Sequence, residues 1–147
     1  METVLTYPKY FAGSYGTAAP QDHEFVHLLR AYRPSGGLAR AVDIVARRAA
    51  RVSSSADDLQ GVSDAICFEW NGTLWLPWFQ FEPASLSIRP GPARVIGELA
   101  PVFDGWAMAS WFAATSVWLG GARPIDMLGD INAVLGAARA DRFIAAG

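Results

Sequence analysis

The stretch AICFEWNGTLWLPWF, residues 65–79, constrains the fold of this chain more than any other. It sets Asn71 and Gly72 between two runs of aromatic and aliphatic residues. A two-residue type I′ turn needs positive φ at both central positions, which Asn-Gly accepts at little cost. The two runs are therefore expected to fold back on each other as an antiparallel hairpin. A turn of that length fixes the register, with Phe68 opposite Trp75 and Glu69 opposite Leu74. Side chains alternate along a strand, and in this register both faces of the hairpin are largely apolar. Such a ribbon is marginal alone and has to be covered on two sides.

Helices supply the cover. Asp22 can cap a first helix whose apolar stripe is Phe25, Leu28, Leu29 and Tyr32, ended by RPSGG. A second helix is expected over residues 38–52, with Leu38, Val42, Val45 and Ala49 as its stripe. Arg40, Arg47, Arg48 and Arg51 fall on its wetter side. Ser55 with Asp58 three residues later has the form of a capping box for a short third helix. Beyond the hairpin, FQFEP leads out, and a helical second half begins over residues 90–100. Asp104 can cap a helix in which Trp106, Met108, Trp111 and Phe112 spread around the circumference; such a helix is buried or forms an interface. In VWLGGARPIDMLG a Gly-Gly break precedes Pro124 at the first position of a short helix, which stops at Gly129. Asp130 caps the last helix, whose stripe of Ile131, Val134, Leu135 and Ala138 is expected to continue to Phe143. The fold class is mostly α, a helical domain with one central two-stranded β-hairpin. It divides into an irregular arm at 1–20, an N-terminal helical part at 21–65, and the hairpin with its helices at 66–147.

A chain of 147 residues is long enough for a real core. Only 18% of it is charged, against about 25% in ordinary globular chains, and it holds six tryptophans. That aromatic surplus points to a partner or a second copy, and a homodimer using Trp106, Trp111 or Trp118 is expected. The net charge of −2 argues against a dedicated nucleic-acid binder. One cysteine, Cys67, excludes an internal disulfide and a four-cysteine zinc site; in its apolar run it reads as an inert core thiol. The first residues carry no basic-then-apolar secretory leader, and no run approaches the ~18 apolar residues of a membrane span. A cytoplasmic protein with no membrane contact is expected.

HEFVH, residues 23–27, matches the zinc-protease pattern: two histidines one helical turn apart with Glu24 as general base. His23 and His27 are the only histidines, so a third ligand would have to be a carboxylate such as Asp43 or Asp57. No strand pattern precedes the motif, and an ordinary amphipathic helix explains it better; no metal or cofactor is expected. Ser53 to Ser55 lack a nucleophile elbow, and nothing in the sequence brings Glu69 and Glu82 together as paired carboxylates. GGAR lacks the following Lys-Ser/Thr of a phosphate loop, although Arg123 at a helix entrance suits bidentate capture of a carboxylate or carbonyl. No catalytic set emerges, and the chain reads as a non-enzyme. Three short helices followed by a hairpin also have the order of a winged helix-turn-helix, with WNGTLW as the wing. Its recognition segment would carry Asp57, Asp58 and Asp64 and no basic residue, which opposes phosphate binding. Any DNA contact would then be weak and would fall to the arginines of residues 40–51.

Three segments in order carry a resemblance: WNGTLWLPWFQFEP, then WAMASWFAATSVWLGGARPIDML, then NAVLGAARADRF. Together they resemble the Xre/MbcA/ParS toxin-binding domain of bacterial antitoxins, over roughly residues 66–147 and more loosely the helices before. The most specific parts are FQF after a Pro-containing strand and the LGGxRPIDxL run. The resemblance implies a mostly helical antitoxin that neutralises a partner toxin, often a RES-domain protein that consumes NAD. It also implies dimerisation and a C-terminal segment that occludes the toxin's active site. By position, Gly120, Gly121, Arg123 and Pro124 belong to the structural signature, and Arg139, Arg142, Phe143, Ile144 and Gly147 to the toxin-facing end. The sequence departs at Ala114 to Ser116, where members often have an Asn-containing turn. It also lacks an evident helix-turn-helix in its first 65 residues, which members use to repress their own operon.

Overall fold

The hairpin register is the one its turn dictates. In a computed structural model that describes residues 22–51 and 64–147, strand β2 (Phe68–Trp70) pairs antiparallel with β3 (Thr73–Pro77). Phe68 faces Trp75 and Glu69 faces Leu74. Asn71 and Gly72 sit at φ 53° and 75°, both left-handed, as a type I′ turn requires. The sheet, however, has three strands, not two. Residues Leu38–Arg40 form a further strand, β1, on the free edge of β3, with Leu38 opposite Pro77 and Arg40 opposite Trp75.

That strand takes the start of the expected second helix, which begins at Ala41 instead of residue 38. Helix α1 (Asp22–Tyr32) ends in a 3₁₀ turn at Arg33–Ser35, and Gly36 and Gly37 redirect the chain. The Gly37 carbonyl accepts from Trp78 N, which extends the ladder to the end of β3. A pairing of three residues on a sheet edge leaves too short a pattern to register as alternation. The buried face of α2 (Ala41–Arg51) also differs from the expected stripe. Ala41, Ile44 and Arg48 point inward, while Val42, expected in the stripe, is 49% exposed. Arg48, expected on the wet side, is 7% exposed and donates Nη1 to the Leu86 carbonyl at 2.8 Å. The segment read as a third helix lies outside the described residues, as does the arm at 1–20.

The remaining helices are α3 (Pro90–Leu99), α4 (Gly105–Ala113) and α5 (Ile131–Ala146), so the coarse reading of a mostly α chain holds. The sheet separates two apolar clusters, as a ribbon apolar on both faces requires. On one side Phe68, Trp70 and Trp75 join a large core with Phe25, Leu28 and Tyr32 of α1, Met108 and Phe112 of α4, and Val134 of α5. Phe25 stacks on Trp70 with ring centroids 4.0 Å apart, and Phe68 meets Trp106 at 4.4 Å. On the other side Cys67, Leu74 and Leu76 pack with Ile44 of α2, Phe81 and Leu86. Tyr32 spans the first core and donates its hydroxyl to the Ala109 carbonyl at 2.6 Å. Burial holds that phenol well above the ordinary tyrosine range, the Arg123 charge opposing only in part.

FQF acquires a physical meaning here. Phe79 enters the larger core and Phe81 the smaller one. Gln80 between them is fully buried. Its Oε1 accepts from Ile66 N at 2.7 Å, and its Nε2 donates to the carbonyls of Ile66 (3.1 Å) and Pro77 (3.0 Å). An amide with donor and acceptor at one end satisfies a backbone pair that has no strand partner there.

Candidate functional site

The C-terminal helix carries the candidate site. Asp130 caps it, its carboxylate accepting from Ala133 N, and α5 then runs to the last residues of the chain. Val134, Leu135, Ala137 and Ala138 form its buried stripe. Burial ceases at that point. Phe143, expected to extend the stripe, is 81% exposed, and Ile144 is 64% exposed. At 100° per residue Phe143 lies about two and a half turns beyond Val134, half a turn away from the core face. The core was full by Ala138, and the last two turns run beyond it.

Those turns are nevertheless tied to the body of the protein. On one side Arg139 and Arg142, one turn apart, reach the same carboxylate on α3: Nε of Arg139 lies 3.3 Å from Glu98 Oε2, and Nη1 of Arg142 lies 3.2 Å from Oε1. Arg139 and Arg142, which the resemblance puts at the toxin-facing end, are thus engaged within the chain. Both are substantially exposed, so each pair is worth at most about 1 kcal/mol. On the other side Asp141 accepts two indole N–H groups, from Trp111 at 2.7 Å and from Trp118 at 2.8 Å. Trp111 comes from α4, so the tail is cross-braced to two helices and a turn.

That turn lies in the segment on which part of the resemblance rests. Ser116 organises it. Its Oγ accepts from Trp118 N, its carbonyl accepts from Leu119 N and Gly121 N, and its own N–H reaches the Ala122 carbonyl. The serine of the divergent ATS thus supplies the side-chain acceptor that the turn uses. Gly120 and Gly121 adopt φ of 66° and 88°, where a Cβ is strained. Arg123 grips Asp126 with a bidentate fork, Nε to Oδ2 at 2.8 Å and Nη2 to Oδ1 at 3.1 Å. That bond raises its pKa above the already high arginine value, against a smaller opposing effect of burial. Pro124, buried, opens the 3₁₀ turn Pro124–Met127. The fork is therefore spent on local structure. At the tip of the preceding turn, Val117 is 86% exposed and Trp118 51%. Gly147 is exposed at the chain end, its N–H bonded to the Ile144 carbonyl.

Other sequence candidates are placed as follows. His23 and His27 are exposed on α1, and Asp43 on α2 pairs with Arg40 at the end of β1 at 3.2 Å. Asp57 lies outside the described residues, and among the described residues no group of three or more His, Cys, Asp or Glu is gathered to hold a metal. Cys67 is buried, and desolvation first, then Glu69, pushes its thiol far above the range in which a thiolate forms. The arginines considered for DNA are largely occupied: Arg40 by Asp43, Arg48 by Leu86, and Arg47 lying 5.3 Å over the Trp78 ring. An open cleft of about 640 Å³ lies beside Arg47, Trp78 and Arg89, and Arg89 donates to the Phe79 carbonyl at 3.0 Å. Its lining gathers no set of groups suited to a reaction.

Sequence reasoning missed Glu98, Asp141 and the anchoring part of Trp118. Each acts across a contact between segments far apart in the chain, and no local pattern marks such a pair. A scan of protein-family models, a search of curated proteins and a search of solved structures each find no match to this chain. Among the described residues, no helix is long and apolar enough to cross a membrane.

Proposed function

We propose that this chain is an antitoxin-like protein that binds a partner toxin and blocks its active site with the end of α5. The observation that carries the reading is the exposure of Phe143 and Ile144 on a helix end that is otherwise held in place. Large apolar side chains left in water on an ordered element are what a contact surface offers before it meets its partner. The sequence resemblance supplies the partner class, a RES-domain toxin that consumes NAD, and a homodimeric state for the antitoxin.

The experiment is co-expression with the polypeptide encoded beside it in the same operon. Growth arrest by that polypeptide alone, relieved by this chain, is the expected result. A neighbour that is harmless, or arrest that this chain leaves unrelieved, overturns the reading.

A second reading, a winged helix-turn-helix regulator, has one observation in its favour. Strand β1 between α1 and α2 closes a sheet with the hairpin, in the order β1-β3-β2, which suits a wing packed against the first helices. The occupation of Arg40, Arg47 and Arg48 argues against phosphate contact. The recognition segment lies mostly outside the described residues.

A further inference from the structure

An amphipathic helix turns one face to water, and the residues that fall on that face set its chemistry. Phe25, Leu28 and Tyr32 are buried and fix the rotation of α1, with Phe25 stacked on Trp70. At 100° per residue, the mean direction of those three side chains lies about 150° from that of His23 and His27. Both histidines are accordingly exposed, on the face of α1 opposite the core. Residues four apart on a helix bring their Cβ atoms to about 5–6 Å, which lets two imidazoles meet one ion. A protease reading of HEFVH fails for want of a third ligand, and none is gathered with these two among the described residues. Two imidazoles at this spacing are still a chelate.

We propose that His23 and His27 form a two-ligand surface site for a divalent transition-metal ion, copper(II) first, with nickel(II) and zinc(II) after it. The proposal is independent of the antitoxin reading. Neutral imidazole suits these ions, and affinity rises along the series to copper. Magnesium and calcium call for oxygen donors and are not taken. With two protein ligands the ion keeps water at its other positions, so the site is neither the closed structural type nor a protease centre. The second imidazole closes on an ion already held by the first, and acts with the high effective concentration of an intramolecular contact. The pairing exists only while α1 is helical, so the metal stabilises the folded chain. The positive end of the helix dipole works against a cation in the first turn. Asp22 and Glu24, both in that turn, offset it, while Arg30 follows in the last turn.

The test is calorimetric titration of the untagged chain with copper(II), nickel(II), zinc(II) and magnesium, with thermal unfolding followed at the same metal concentrations. His23 and His27 are the only histidines of the chain, so imidazole binding is assigned without ambiguity. One copper(II) per chain is expected, with a rise in melting temperature that a chelator reverses and no response to magnesium. His23→Ala and His27→Ala are each expected to weaken copper binding about tenfold or more. Both positions are exposed, so the metal-free melting temperature of each variant is expected within about 2 °C of the wild type. A control keeps two imidazoles but parts them. His27→Ala with Arg30→His sets them two turns, about 10 Å, apart and is expected to bind no better than the single variants. In NMR spectra of the wild type, copper(II) is expected to broaden both imidazole signals together. Equal affinity in the wild type and the single variants, broadening of one imidazole alone, or a control that binds like the wild type overturns the proposal. So does zinc retained at one per chain through purification, which marks a closed site with ligands beyond these two.

Discussion

Phe143 and Gln80 show how differently two side chains of similar sequence prominence are used. Phe143 reads as the end of an apolar stripe, yet it is mostly exposed and opposite the core face. Its replacement by alanine is expected to leave the melting temperature within about 2 °C and to weaken partner binding at least about tenfold, or 1.4 kcal/mol. A drop corresponding to the 3–5 kcal/mol of a lost core phenylalanine, about 6–20 °C, would show that it closes the core instead. Gln80 is a polar residue flanked by two core phenylalanines and carries three buried hydrogen bonds. Gln80→Leu strips the partners from Ile66 and Pro77 while preserving volume, and is expected to cost about 3 kcal/mol, seen in denaturant unfolding. A loss under about 1 kcal/mol would mean that water replaces the amide.

Elements follow from local chemistry where the chemistry is strong. Asn71-Gly72 made the hairpin and its register legible, Asp104 and Asp130 made two helix starts legible, and Pro124 made the short turn legible. In each case one residue performs a local task that no distant contact has to support. Legibility failed for β1 and for the face of α2. A strand of three residues has no period to detect, and the buried face of α2 falls one residue earlier than the expected stripe, about 100° round the helix. Arg48 shows why: a long side chain with a carbonyl to reach can take an inward position that polarity alone denies it. The candidate site was legible in part. Its end was named only through the resemblance, and its anchoring by Glu98, Trp111 and Trp118 could not be read at all, because those residues meet α5 only after the chain has folded. The junction of α4 with β2 gives a prediction at this scale. Gly105 opens α4 directly against the Cys67 carbonyl, where a Cβ would collide with backbone. Gly105→Ala is expected to destabilise the protein by about 2–3 kcal/mol, with a lower urea midpoint at unchanged slope. A wild-type midpoint would mean that α4 can shift away from the sheet.

The whole molecule is a sheet with an apolar cluster on each face and a last helix that runs past the larger one. Most of the aromatic surplus is absorbed by this arrangement. Trp106 donates to the Glu69 carbonyl at 2.9 Å, Trp70 stacks on Phe25, and Trp111 is held by Asp141. Of the three tryptophans expected at a dimer interface, only Trp118 keeps half of its surface exposed. Under the antitoxin reading a dimer is expected in light scattering at micromolar concentration; a species matching the 15.8 kDa chain would count against it. Truncation has to respect the braces on α5. Removing residues from Arg139 onward would also strip the ties to Glu98 and Asp141, so the informative cut falls after Arg142. The central claim, that this helix end is the inhibitory element, is tested most directly by that truncation in the co-expression assay, with thermal unfolding of the purified chain beside it. The account predicts an unchanged melting temperature and complete loss of protection against the neighbouring toxin. Full protection by the truncated chain would contradict it.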